Sequence, residues 1–432
     1  MLSLGMATLG FVALATASAN AGPSLLFDAR TGQVIESENP FARWFPASLT
    51  KLMTTYVAFR AVETGEVTMQ SPVRVSRNAA DEPPSKMGYQ PGTILTLDNA
   101  LKIIMVKSAN DVATSIGESL AGSEEAWAAR MNAESQRLGM TGSHWVNAHG
   151  LHDDNQYTTA RDLGILASAL RREFPQYASY FAIEGLANGK QVIPSHNNLL
   201  GRFDGADGMK TGYTCPAGYN LVASATRDGR TLMAIVIGAT SVKSRNEAAA
   251  GLLAKGFSQP TAGGLTLAML KPSGAGIDQA TNMREALCTK AGSTALRKKE
   301  RELAAKRKKE GKTEPASYLA KREEARDLVP ISIGSATGPA SPAIAALLAQ
   351  DAAEQAAKAA EETRKQAAIA SGIDPDIPLP TWRPDKLAPQ GAEPVDIGDS
   401  AALDSETAAQ EAEATAQDAE TAPDPDIVTL DQ

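Results

Sequence analysis

The spacing of apolar positions changes along the chain, and each change predicts a different element. After an apolar N-terminal run, MLSLGMATLGFVALATASANA, residues 24–38 (SLLFDARTGQVIESE) read as two short strands around Ala29-Arg30-Thr31-Gly32. From Pro46 the spacing is helical: Leu49, Leu52, Met53, Tyr56, Val57 and Phe59 recur at three- and four-residue steps. Residues 98–120 predict two helices that meet near Lys107-Ser108-Ala109-Asn110. Ser123 can cap a helix with Trp127, Met131 and Leu138 on one face, and Thr158 or Thr159 can cap another carrying Leu163, Leu166 and Leu170. From Asp207 the period shortens. LVASATRDGRTLMAIVIGAT (221–240) predicts two strands joined by Arg227-Asp228-Gly229-Arg230, and helical spacing returns over 243–257. Strands at both ends with helices between them predict an α+β domain. Its sheet pairs the first and last segments around an all-helical insertion.

Beyond residue 262 the pattern fades. Residues 297–312 hold nine basic and three acidic side chains, 351–370 are mostly Ala, Glu, Lys and Gln, and the end is rich in Pro, Asp, Glu and Ala. The expectation is a mostly disordered tail over 263–432, with transient helix at 295–312 and 340–370. The basic run reads first as a solvated helix face, with anion binding at a membrane or cell wall as the alternative. The formal net charge of -8 is a property of the tail: residues 391–432 carry twelve acids and no Lys or Arg, which leaves the rest at +4. That balance speaks against a nucleic-acid partner. Two cysteines can build neither a disulfide scaffold nor a four-thiolate zinc site. The first segment ends in Ala19-Asn20-Ala21, which suits a signal peptide cleaved after Ala21, so residues 1–21 are expected to direct export to the periplasm. No Lys or Arg precedes the apolar run, and an uncleaved anchor or a buried N-terminal helix are the alternatives.

Three short motifs carry the chemistry: Ser48-Leu49-Thr50-Lys51, Ser108-Ala109-Asn110 and Lys210-Thr211-Gly212. Each alone is common, and their weight lies in order, spacing and context. Ser48 follows Pro46 at a helix start, where free N–H groups favour developing negative charge. Lys51 is one helical turn along, over the same face. A serine hydroxyl needs a neighbouring base to become a nucleophile. Burial and a second cation such as Lys210 would make Lys51 neutral enough to serve, leaving Lys210 charged. Ser108 can relay a proton and the Asn110 amide can hold a peptide group. Lys210 and Thr211 suit a substrate carboxylate, and Gly212 lets a ligand approach the backbone. Taken singly, Ser48 could be a helix cap and Lys210 a loop lysine.

With PASLTKLMT (46–54), KSAND (107–111), NAHGLHDDNQYTTARDL (147–163), NNLL (197–200), DGMKTGYTCPAGYNLVASA (207–225) and VIGATSVKSRNEA (236–248), the chain resembles the serine D-alanyl-D-alanine carboxypeptidases, the low-molecular-mass penicillin-binding proteins of peptidase family S11. The likeness covers roughly residues 23–258. It implies a β-lactamase/transpeptidase-like fold, an antiparallel sheet flanked by helices with a helical subdomain, and a catalytic domain over 22–262. It implies Ser48 as acylated nucleophile, Lys51 as its base and Ser108 as proton relay. Asn110 would orient the substrate, and Lys210, Thr211 and Arg245 would bind its terminal carboxylate. The N–H groups of Ser48 and Tyr213 would form the oxyanion hole. No cofactor is implied. The implied partners are peptidoglycan stem peptides, losing a terminal D-Ala, and β-lactam antibiotics, which would acylate Ser48.

Two features depart from the family. Members often end in a small β-rich domain and an amphipathic anchoring helix, whereas PDPDIVTLDQ is acidic, which leaves membrane attachment open. Tyr213 stands where the family often has His. Export would permit a Cys215–Cys288 disulfide, with two free thiols as the alternative. His144, His149, His152, Asp153 and Asp154 lack the helical spacing of a metal motif, so no metal is expected. A class A β-lactamase would need a glutamate for deacylation, and residues 147–157 contain none. A D,D-endopeptidase and a non-enzymatic cell-wall scaffold are the remaining rivals.

Overall fold

The computed structural model describes residues 22–260, 264–311, 316–322 and 326–371; the expected signal peptide and the acidic end lie outside them. Among the described residues the strands are β1 (Ser24–Asp28), β2 (Val34–Glu38), β3 (Pro72–Arg74), β4 (Ile94–Thr96), β5 (Gly185–Asn188), β6 (Gln191–Pro194), β7 (Ala206–Thr214), β8 (Gly218–Arg227), β9 (Arg230–Ala239) and β10 (Leu328–Pro330). The main sheet runs β2-β1-β9-β8-β7. Every pair in it is antiparallel, and Ser24 stands opposite Val236, so the first and last segments of the body close one sheet. Asp228 and Gly229 make the β8–β9 turn with φ of 49° and 74°. That positive-φ pair is the two-residue turn whose twist matches the strands it joins.

The helices are α1 (Thr50–Glu63), α2 (Arg77–Asp81), α3 (Leu97–Val106), α4 (Asn110–Ala121), α5 (Glu124–Leu138), α6 (Ala160–Glu173), α7 (Ser179–Ala182), α8 (Val242–Phe257), α9 (Arg284–Cys288), α10 (Lys290–Lys309) and α11 (Pro342–Ala370). Ser123 caps α5 through the Ala126 N–H, and Thr159 caps α6 through Asp162. The helix α8 covers one face of the main sheet and α6 the other. Strands β8 and β9 are therefore buried on both faces and read as near-continuous apolar runs. The helix α1 touches α3, α4, α5 and α6, and this enclosure buries even its polar residues Thr50, Lys51, Thr54 and Thr55.

The expectation of a mostly disordered segment from 263 onward is corrected for the described residues. Described residues between 264 and 344 strap the body with backbone hydrogen bonds. The Leu265 carbonyl accepts from Val34 N–H at 2.9 Å, Gly276 from Arg43 at 2.7 Å and Pro216 from Met283 at 2.8 Å. The strand β10 pairs in parallel with β5, and Gly338 donates to Gln70 at 2.9 Å. Leu267, Leu319, Ile331 and Ile344 are buried along the way. Composition misses this because the anchors are short apolar runs diluted by long polar stretches, and many of the bonds are made by backbone. The helix α10 buries no side chain and presents its basic run to solvent. Two compact units divide at Ala357 and Lys358. In the second, the described residues continue α11, where Lys365 pairs with Glu361 at 2.9 Å. No described helix is long and apolar enough to cross a membrane.

Candidate active site

Ala47–Leu49 form one 3-10 turn that leads into α1 and carries Ser48. Asn220, fully buried on β8, ties this turn down. Its Nδ2 donates to the carbonyls of Phe45 and Pro46 at 3.1 and 3.2 Å, and its Oδ1 accepts from Gly238 N–H at 2.8 Å. Strand β7 presses against the same turn. A Cβ at Gly212 would stand 3.0 Å from the Pro46 carbonyl oxygen and 3.2 Å from the Ser48 nitrogen. Gly212 lines the cleft, yet the space its missing side chain leaves is filled by the turn that carries Ser48 rather than kept for a ligand. Gly150, with φ of 93°, lies so close to the Ala47 carbonyl that any side chain would collide.

Lys51 is fully buried, and its amine is 3.2 Å from Ser48 Oγ, 2.8 Å from Asn110 Oδ1 and 2.6 Å from the His149 carbonyl oxygen. Burial, and after it the charge of Lys210, pushes its pKa well below the ordinary value, against the pull of Glu82 and Asp111. Asn110 also donates from Nδ2 to the Pro83 carbonyl at 2.8 Å. Both polar ends of its amide are thus engaged in holding Lys51 and the loop after α2. Asp111 secures that loop from the other side by accepting from the N–H groups of Met87 and Gly88 at 2.9 and 2.8 Å.

Ser108 has φ of 61°, a left-handed conformation, and accepts from Lys210 Nζ at 2.9 Å. Lys210 donates also to the Thr211 carbonyl at 3.0 Å. Burial, and secondarily Arg245, pushes the Lys210 amine down to about 7. Its amine is thus held well below an ordinary lysine. Arg245, buried on α8, is lowered by burial to about 10 and keeps its charge.

Sequence reasoning missed several neighbours. His196 lines the cleft, and burial among Lys210, Lys107, Arg245 and Lys51 lowers its pKa to about 4, so it is neutral. It adjoins the quoted NNLL segment, but nothing in its spacing announced the cations around it. Glu82 and Glu124 flank the His149 imidazole, at 3.1 and 3.2 Å from Nε2. The three ligand atoms lie within 4.8 Å of one another, a spacing a cation could bridge. Leu151 N–H, however, points at Nδ1 at 3.0 Å, which leaves Nε2 to carry the proton and donate to the carboxylates. His144 and His152 stand apart from this group, against the Asn155 carbonyl and the Phe45 ring.

Ser48, Ser108, Asn110 and His196 line a cleft of about 690 Å³, together with Tyr213, Thr211, Arg245 and Arg326. No Asp or Glu is among its described lining residues. Strand β7 is the edge of the main sheet, so it can offer backbone N–H and C=O groups to an extended peptide. A Cys215–Cys288 disulfide, with Cα atoms 5.9 Å apart, joins the turn after β7 to α9. Tyr213, half-exposed, lies over Tyr219 with centroids 4.3 Å apart.

Residues 12–241, more than half of the chain, match the family model for D-alanyl-D-alanine carboxypeptidase, Peptidase_S11. The chain belongs to this family. It is 34% identical over 240 residues to the D-alanyl-D-alanine carboxypeptidase DacA of Escherichia coli (strain K12), a match covering 54% of this chain and 60% of that protein. The chain thus spans about three fifths of that curated relative's length. Crystal structures of penicillin binding protein 5 from Haemophilus influenzae align with a TM-score of 0.53 at 32% identity, covering 55% of this chain and 71% of theirs. Penicillin-Binding Protein D2 from Listeria monocytogenes, in its cefotaxime-bound form, aligns with a TM-score of 0.51 at 28% identity over 55% of this chain and 97% of that one. The antiparallel sheet flanked by helices is the fold of these family members and their transpeptidase-like kin.

Proposed function

We propose that this chain is an exported serine D-Ala-D-Ala carboxypeptidase. It removes the terminal D-Ala from peptidoglycan pentapeptides through an acyl-enzyme on Ser48 and is acylated there by β-lactams. The observation that carries this reading is the buried Lys51 amine, 3.2 Å from Ser48 Oγ and far below its ordinary pKa. A neutral amine at that place takes the hydroxyl proton as Oγ attacks the carbonyl carbon of the penultimate D-Ala. The N–H groups of Ser48 and Tyr213 receive the oxyanion, each such donor contributing about 2.7–4 kcal/mol to the transition state. Ser108, bonded to Lys210 at 2.9 Å, relays the proton that Lys51 took from Ser48 to the departing amine, which leaves Lys51 neutral again. Lys210, Thr211 and Arg245 receive the terminal carboxylate, and its negative charge returns Lys210 to its charged form. Water then opens the ester, with Lys51 again as base. The cefotaxime-bound form of the Listeria relative supports acylation by β-lactams.

Incubation with a pentapeptide ending in D-Ala-D-Ala is expected to release D-Ala, and Ser48→Ala to abolish the release. Cleavage of cross-linked muropeptide dimers with pentapeptide spared would replace this reading with the endopeptidase. Neither activity, with no labelling by fluorescent penicillin, would leave the scaffold.

A further inference from the structure

Among the described residues of the strap, one side chain lines the cleft. Arg326 stands just before β10, in the segment that composition assigned to a disordered tail. Strand β10 pairs with β5, and β5 pairs with β6, whose last residue Pro194 lines the cleft. This pairing fixes Arg326 beside the rim. Its NH1 donates at 3.1 Å to the Glu184 carbonyl, the same oxygen that accepts from Ser195 N–H at 2.8 Å. The guanidinium therefore sits next to Ser195 and His196, both of which line the cleft. The Glu184 carboxylate is taken by Arg322. With no Asp or Glu in the described lining, and His196 neutral, Arg326 faces a cleft already served by Arg245 and Lys210.

One terminal carboxylate does not need all of these cations. We infer that Arg326 forms a second anionic subsite, which binds a carboxylate on the stem peptide upstream of the D-Ala-D-Ala end. The inference rests on the carboxypeptidase reading above, and it makes the strap a determinant of which peptide is accepted. An arginine suits this task because its planar fork can grip a carboxylate with two parallel bonds. Ser195 and Asn198, also in the lining, supply neutral hydrogen-bonding groups beside it. Arg326 moves no proton in the reaction and acts through binding alone.

The test uses the full chain and two pentapeptides ending in D-Ala-D-Ala, one with its upstream carboxylates free and one with them converted to carboxamides. D-Ala release gives kcat and KM, and competition against fluorescent penicillin labelling gives relative binding even where no D-Ala is released. The parent should favour the free-carboxylate peptide through KM by about tenfold, as one charge-assisted bond pair warrants. Arg326→Gln should erase that preference, with penicillin labelling and carboxamide turnover unchanged, and Arg326→Lys should restore part of it. Equal treatment of both peptides by the parent would overturn the subsite. So would an Arg326→Gln variant that loses both peptides, or penicillin labelling, to the same degree. Failure of D-Ala release with the binding preference intact would count against the carboxypeptidase reading and leave the subsite standing.

Discussion

The two ends of the cleft each bury a lysine, and they use it in opposite ways. Lys51 is enclosed by acceptors, with Ser48 Oγ, Asn110 Oδ1 and the His149 carbonyl oxygen all within 3.2 Å of its amine. Lys210 meets a hydroxyl and one carbonyl, and a second cation, Arg245, lies near enough to depress it further. The first site is complete as it stands, each acceptor already met by the amine. The second carries unbalanced positive charge that an incoming carboxylate would satisfy. Under the proposed function, burial that disfavours a charged amine suits Lys51 to accept a proton, while Arg245 beside Lys210 suits that end to receive an anion.

The comparison breaks most completely at Ser48. Ser48→Ala should abolish covalent penicillin labelling while circular dichroism and melting stay unchanged. Lys51→Gln, which preserves an acceptor and donors but no base, should slow acylation by roughly 10²–10⁴-fold with the thermal midpoint little altered. A comparable loss of folded protein would mean that Lys51 is mainly structural. Opening the disulfide tests whether the strap supports the receptor end. With a sequence separation of 73 between the cysteines, Cys215→Ser with Cys288→Ser should cost about 2–4 kcal/mol by denaturant titration and leave Ser48 acylation in place.

The smallest effects lie at the receptor end and depend on pH. Lys210 titrates near 7 in the folded chain against an ordinary 10.5, so KM for a peptide carboxylate should rise as pH climbs above about 7. Arg245→Gln removes a repelling charge. It should raise KM roughly tenfold and move that inflection to higher pH. The stability term has the opposite sense. Between 7 and 10.5 the unfolded chain holds a proton on Lys210 that the folded chain has lost, so this group adds stability as pH rises through that window. A KM flat from pH 6 to 9 would contradict the assignment of Lys210.

Much of the body was legible in the sequence because its elements bury a continuous apolar face. The helix α1 and the hairpin β8–β9 announce themselves by period, and the αL pair Asp228-Gly229 marks the turn. The three motifs were also legible, since each needs particular residue types at fixed offsets. The strands β3, β4 and β10, at three residues each, are too short to show a period. The strap is not legible because its apolar runs around Leu267 and Ile331, though buried, are short and lie between long polar stretches. Arg326 and His196 enter the cleft through tertiary pairing that no local spacing encodes. The lowered pKa of Lys210 follows from tertiary burial first and then from Arg245, 35 positions away in sequence.

The central claim is that Ser48 Oγ is made nucleophilic by an uncharged Lys51. Its most direct test is the mass of the folded protein after incubation with benzylpenicillin, with peptide mapping of the adduct, across a pH series. The account predicts one penicilloyl group, on the peptide carrying Ser48, forming at undiminished rate well below the ordinary lysine pKa. An unmodified Ser48 after prolonged excess, or an acylation rate that climbs only near pH 10, would contradict it.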